Sequence, residues 1–288
     1  MHPENEHKKN LTRMKLKTFA FLSAAVLLTA ACSEKEHQPT VSDIAGNYQG
    51  YTLASCAYFQ NTCTANENVT VAANADGTAK VTFTSDAWGE FTIPNAQMKV
   101  SDGTFTLSGN GQTQMGMGGN VAPYDCTYSA VIHGDNQAQM QFKVAGVMGG
   151  LTLDFKTGEA PAELLLAGTY KGYTDADCAY FQNRYTDNES LKVTANEDGT
   201  AGITYESATW GLFHVEKATL TGSDGEYTLS GSGKVEMGMG GSTQQYDFTL
   251  TGTCNAAKDA YSFAFSLPAV MGGLTITLLP GTAPGGNE

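Results

Sequence analysis

The chain is short of positive charge. Its 288 residues hold 16 Lys and Arg against 29 Asp and Glu, a net of −13, and charged residues reach only 16%. Such a surface repels phosphate backbones, so nucleic acid is excluded as a partner. Long apolar runs are absent as well. The stretch Phe19 to Leu28 falls short of the ~20 residues a helix needs to cross a bilayer. After it, no segment keeps a helical apolar period. Histidine is scarce, and beyond residue 37 only His133 and His214 remain. No Cys is paired with a His, no triad or paired acids stand out, and no glycine loop leads into a helix. Catalytic residues, metal sites and cofactors are therefore not expected, and the chain reads as a non-enzyme.

What is present begins with a leader. Lys15 and Lys17 precede the apolar run, and small residues lead up to Cys32. This is the layout of a secretory signal. Ala30-Ala31-Cys32 resembles a bacterial lipobox, which implies cleavage before Cys32 and lipidation of its sulfur. Residues 1–31 are then a signal peptide and residues 32–41 a polar, lipidated tether. Each buried methylene of an acyl chain contributes ~0.8 kcal/mol, so two or three chains hold a protein on a membrane. Loss of the leader removes five basic and two acidic residues and moves the net charge from −13 to −16.

The rest of the chain is written twice. "GYTLASCAYFQN" at 50–61 and "GYTDADCAYFQN" at 172–183 share ten of twelve letters at an offset of 122. The same offset relates "ADGTA" at 75–79 to "EDGTA" at 197–201, Trp88-Gly89 to Trp210-Gly211, and "MGMGG" at 115–119 to "MGMGG" at 237–241. "VMGGLT" recurs at 147–152 and 270–275, one residue further on. Two long copies make tandem domains, not a solenoid. The expected division is 42–158 and 164–281, with a linker at 159–163 and a tail at 282–288.

Each copy alternates apolar and polar residues, as in Tyr246, Phe248, Leu250 and in Tyr261, Phe263, Phe265, Leu267. Side chains two apart share a face, so every run offers one apolar side. Asp76-Gly77 and Asp198-Gly199 are hairpin turns between such runs. Eight to ten short strands per copy suit a closed barrel or a sandwich. The openings Gly46-Asn47-Tyr48 and Gly168-Thr169-Tyr170, the Asp-Gly hairpins, the Trp-Gly pairs, "MGMGG" and the terminal "VMGGLT" together resemble the calycin-like β-barrel domain of Bacteroides-type lipoproteins. The resemblance implies an all-β chain of two tandem small antiparallel barrels, a lipoprotein context and no defined activity. Ser33 after the lipid-bearing Cys, and the acidic residues that follow, resemble outer-membrane sorting signals. The expected location is the outer membrane, lipid-anchored, facing the periplasm or the outside.

Candidate ligand contacts are Tyr58, Phe59, Tyr180 and Phe181, which either line a barrel mouth, stack on a sugar or plug one end. Met115, Met117, Met237 and Met239 are soft thioethers able to hold Cu(I), but their stronger role is to fill apolar space. Trp88 and Trp210 read as core. In an exported chain, Cys178 and Cys254 suggest a disulfide, and Cys56 pairs with Cys63 or Cys126. The first functional expectation is a binding module that holds a small apolar or amphipathic ligand, or a peptide, in its lumen or mouth. The alternative is a surface protein with filled barrels, binding glycan or protein through its loops.

Overall fold

The computed structural model describes residues 38–117, 120–223, 225–239 and 242–285. The leader, Cys32 and most of the tether lie outside the described residues.

The first copy forms β1 (Gly46–Ser55), β2 (Thr62–Ala73), β3 (Ala79–Ser85), β4 (Gly89–Ser101), β5 (Thr104–Met117), β6 (Asn120–His133), β7 (Ala138–Val144) and β8 (Leu151–Thr157). The second forms β9 (Gly168–Asp177), β10 (Arg184–Ala195), β11 (Ala201–Ser207), β12 (Gly211–Ser223), β13 (Glu226–Met239), β14 (Ser242–Asn255), β15 (Tyr261–Leu267) and β16 (Leu274–Pro280). Each strand pairs antiparallel with the next, and the first of each copy closes on the last, giving two closed eight-stranded barrels. This is the expected all-β class. A five-residue helix, α1 (Ala162–Leu166), joins the copies and packs against β2 and β10. It is too short to show a period in sequence.

Alternation puts the apolar side chains in the lumen. Phe83, Phe91, Phe142 and Phe155 are fully buried in the first barrel, as are Tyr205, Phe213, Phe263 and Phe265 in the second. Ring centroids in the first lumen lie 5.3–5.4 Å apart among Phe83, Phe91 and Phe142. In the second, Phe213 and Phe265 lie 4.9 Å apart. Large residues trade places between copies. Cys126 and Tyr128 become Phe248 and Leu250, so one aromatic moves two places along the same inward face. An eight-stranded barrel is just wide enough for its side chains to fill it, and both lumens are filled this way.

Each barrel has a root end, where the chain enters, and a cap end opposite. At the root, the Tyr48 hydroxyl donates to the Ile44 carbonyl at 2.6 Å, and the Tyr170 hydroxyl to the Leu166 carbonyl at 2.7 Å. Closure itself depends on close backbone approach. A Cβ on Gly50 would sit 1.9 Å from the Lys156 carbonyl oxygen, and one on Gly172 1.8 Å from that of Leu279. Alanine there forces the first and last strands apart. We expect Gly50→Ala or Gly172→Ala to destabilise its own barrel by about 3 kcal/mol, the upper range of overpacking costs. Urea denaturation followed by Trp88 or Trp210 fluorescence measures this, and a loss under ~1 kcal/mol would contradict the closure argument.

Candidate functional site

The repeated motifs, scattered in sequence, meet at the cap end. The loop from Cys56 to Asn61 closes on itself: the Cys56 N–H donates to the Phe59 carbonyl at 2.9 Å, and the Gln60 amide to the Cys56 carbonyl at 2.7 Å. Asn61 takes a left-handed φ of 54°, which Asn tolerates, and its N–H donates to Ser55 Oγ at 3.0 Å. The twin loop repeats this geometry. Cys178 N–H donates to the Phe181 carbonyl at 2.9 Å, and Asn183, also at φ 54°, donates to Asp177 Oδ1 at 2.8 Å. Ser55 and Asp177, one of the two mismatches in the phrase, supply the same acceptor.

These loops rest on aromatic neighbours. Phe59 lies 6.0 Å from Trp88, and Phe181 lies 6.3 Å from Trp210. The "VMGG" turns close alongside: the Ala57 N–H donates to the Met148 carbonyl and the Ala179 N–H to the Met271 carbonyl, both at 3.3 Å. Met148 and Met271 sit at φ 51° and 48°, a strained region for a methionine. Met115 and Met237 point inward and pack on the end of the core. The side chains of Met117 and Met239 lie outside the described residues. Tyr58 and Tyr180 stand free at the loop tips, each 81% exposed. Phe59 and Phe181 are half-buried beneath them. The plugging and presenting roles are therefore split between adjacent residues.

Beneath the cap lies a group that the motif search missed. Glu67 continues the inward face of Val69 and Val71 and is 5% exposed; Glu189 is 7% exposed. Ser85 Oγ donates to Glu67 Oε1 at 2.7 Å and accepts the N–H groups of Ala87 and Trp88, both at 3.2 Å. Ser207 Oγ likewise donates to Glu189 Oε1 at 3.0 Å and accepts from Thr209 at 3.2 Å and Trp210 at 3.3 Å. A buried acid thus orients the serine that holds each tryptophan turn. The signal was present in sequence: Asn-Glu recurs at 66–67 and 188–189, and Ser-x-x-Trp at 85–88 and 207–210. Burial pushes the Glu67 carboxyl above its ordinary value, the Ser85 bond opposes this, and Asp86 adds to it.

Next to Glu67, Asn66 takes φ 59° in a bulge where Tyr51 faces both Ala65 and Asn66. The bulge reverses the alternation beyond it, so Thr64 turns inward and accepts from Trp88 Nε1 at 3.1 Å, while Cys63 turns outward. This corrects the disulfide expectation. Cys56, Cys63, Cys126, Cys178 and Cys254 are all free thiols. Cys63 pairs across from Leu53 on the outer face, whereas Cys56 is buried three residues further on. Cys254 bonds the Tyr170 hydroxyl at 3.3 Å, near the root. Cys178 follows β9 at the cap, about 25 Å further along an extended strand, far beyond the ~7 Å a disulfide allows. Burial pushes the Cys63 and Cys126 thiols up to about 11, which favours the protonated form.

Among the described residues no group of three His, Cys, Asp or Glu is placed to hold a metal, and no helix is long and apolar enough to cross a membrane. Two grooves of about 600 and 680 Å³ lie along the wall of the first barrel. The larger is lined by outward residues such as Lys99, Ser129, Gln141 and Asp154.

Both barrels match the calycin-like beta-barrel domain, over residues 44–157 and 166–278, and the chain belongs to that family. It is similar to a solved structure of a "putative outer membrane protein" from Bacteroides fragilis, at 25% identity and TM-score 0.63, over 82% of this chain and 97% of the other. A second solved structure, a DUF3598-family protein of unknown function from Nostoc punctiforme, aligns at 11% identity and TM-score 0.25, over 84% of this chain and 99% of the other, too low to bear on the fold. No curated protein matches the chain.

Two outcomes test the buried acid. Ser85→Ala removes the acceptor of two turn N–H groups and the one hydroxyl bonded to Glu67, and should cost about 2 kcal/mol. In a Trp210→Phe background it should also shift Trp88 emission to the red; unchanged emission would contradict the link. Because Glu67 is raised in the folded state, its contribution is intact below the ordinary Glu value and is lost as pH rises through the raised one. The stability advantage of Glu67→Gln over the natural protein should therefore grow from about pH 4 to about pH 8 in urea denaturation. A constant difference would contradict it.

Proposed function

We propose that the protein is a lipid-anchored, non-enzymatic binding protein of the outer membrane that engages glycans through the aromatic caps of its two barrels. The observation that carries this is the contrast between filled lumens and exposed caps. Phe83, Phe91 and Phe142 occupy the space a lumen ligand would need, and Tyr205, Phe213 and Phe265 do so in the second copy. An apolar ligand inside the barrel gives way to recognition at the loops. Tyr58 and Tyr180 are presented at the same place on both barrels by loops whose backbone groups are internally bonded, so a ligand would meet a preformed surface. A flat ring that keeps one polar end suits the apolar face and hydroxyl rim of a sugar. The two caps on one tether would add avidity toward a repeating polymer.

The setting supports the same reading. The lipobox-like leader implies an anchor, and the structurally similar Bacteroides fragilis protein is described as belonging to the outer membrane. The acidic surface argues against anionic polymers binding through bulk charge, which leaves specific contacts to carry recognition.

A glycan array decides it. Removing one aromatic platform should cost up to ~1.4 kcal/mol, or about tenfold in affinity per cap. Tyr58→Ala and Tyr180→Ala should each weaken binding, and the double variant should abolish it. Binding that survives the double variant, or native mass spectrometry showing a lipid retained inside folded protein, would overturn the proposal.

A further inference from the structure

Of the differences between the two caps, which include Asp175 and Asp177 in place of Leu53 and Ser55, one adds a cation beside the aromatic rings. Position 62, at the start of β2, is an exposed Thr opposite Ala54; its counterpart at the start of β10, opposite Ala176, is Arg184. The Arg184 guanidinium carbon lies 5.4 Å from the centroid of Phe181 and 5.5 Å from that of Trp210. A guanidinium beside aromatic rings carries five N–H donors in a fixed fork, able to meet a planar acceptor. Arg184 is exposed, and the ion pairs seen among the described residues, Lys217 with Asp198 and Lys234 with Asp247, do not include it.

A second observation points the same way. Trp88 Nε1 donates to Thr64 Oγ1 at 3.1 Å, but in the second cap Trp210 is 3% exposed and its Nε1 finds no acceptor among the described residues. A buried N–H without a partner is rare in folded proteins. The second cap therefore holds an exposed guanidinium and an indole N–H without an acceptor among the described residues, where the first holds a bonded indole and a neutral hydroxyl. The aromatic parts are the same in both: an exposed Tyr, a half-buried Phe and a Trp.

We propose that the second cap selects a carboxylate-bearing sugar, a uronic acid, while the first takes a neutral one. The sugar ring lies on Tyr180, and its planar carboxylate meets the guanidinium edge of Arg184 in a two-pronged contact. The rings beneath hold the guanidinium in place, so little side-chain freedom is lost on binding. This inference rests on the glycan reading given above.

The test uses trigalacturonate and its fully methyl-esterified form, which differ in charge but keep the same rings. Titration calorimetry on the Tyr58→Ala protein, in which only the second cap is intact, should show the acid bound at least about tenfold more tightly than the ester. Arg184→Thr should bring that ratio to near one, and Arg184→Lys should restore part of it, since charge returns without the planar fork. Trp210 emission checks that the cap survives each change. Thr62→Arg in the Tyr180→Ala protein should create the acid preference in the first cap, which keeps the test independent of any folding defect at position 184. Equal binding of acid and ester at the second cap, or an acid preference that survives Arg184→Thr, overturns the charge assignment and leaves the glycan reading standing. No binding of either sugar by either cap, together with a silent glycan array, removes both.

Discussion

Closure of an eight-stranded sheet on itself is the constraint that everything else in the molecule follows. Strand number fixes the bore, and at eight strands the bore is the width of the side chains that line it. Here those side chains are large. Phenylalanines from β3, β4 and β7 meet in the first barrel with centroids near 5 Å, and each buried aromatic removes ~150–250 Å² from water. The Gly50 and Gly172 contacts exist because the first and last strands must touch for the ring to close. A lumen filled in this way can be repacked by trading partners, as Cys126 and Tyr128 trade size with Phe248 and Leu250. Of the two ends, one is occupied by the incoming chain through Tyr48 and Tyr170.

The remaining end is held from below. A carboxyl group buried in an apolar lumen is costly unless it is bonded, and Glu67 and Glu189 meet that demand with one serine each. The serine hydroxyl, committed to the acid, turns its lone pairs toward the turn N–H groups and so fixes where Trp88 and Trp210 sit. The tryptophan supports the phenylalanine, and the phenylalanine supports the loop that lifts the tyrosine into solvent. Position is thus passed upward through four contacts from a buried group to an exposed one. The bulge at Asn66 belongs to the same device, because it turns Thr64 inward to take the Trp88 indole proton.

Much of this was legible in the sequence, and what was not has a physical reason. Period-two alternation is a property of single strands, so the strands and their apolar faces could be read directly from runs such as Tyr261 to Leu267, whereas closure into a barrel rather than a sandwich came only from the family resemblance. Repetition at a fixed offset marked the cap loops, since both copies must solve the same turn. That Cys56 and Cys63 stay apart could not be read, because the bulge at Asn66 inverts the facing of Cys63 in a way that alternation alone hides. Glu67 was passed over for a different reason: an acid inside an apolar run looks like a solvent-facing residue until its neighbours across the lumen are known. The short α1 carries too few residues to have a period at all.

Duplication also separates what the fold needs from what the surface does with it. Most positions with a left-handed φ hold the same residue in both copies, as Asn61 and Asn183, Asn66 and Asn188, and Met148 and Met271 do at nearly equal φ, with Asn136 and Lys258 the exception. On the same strands the outward Leu53 becomes Asp175 and Cys63 becomes Tyr185, and the exposed Thr62, on the inward-facing side at the rim of the cap, becomes Arg184. The first group resists change because a left-handed φ admits few residues. The second resists nothing, because solvent accepts either side chain. A difference that falls on the rim of the cap, and that adds a fixed cation in a chain dominated by acids, therefore changes what the cap can attract without touching what holds it up.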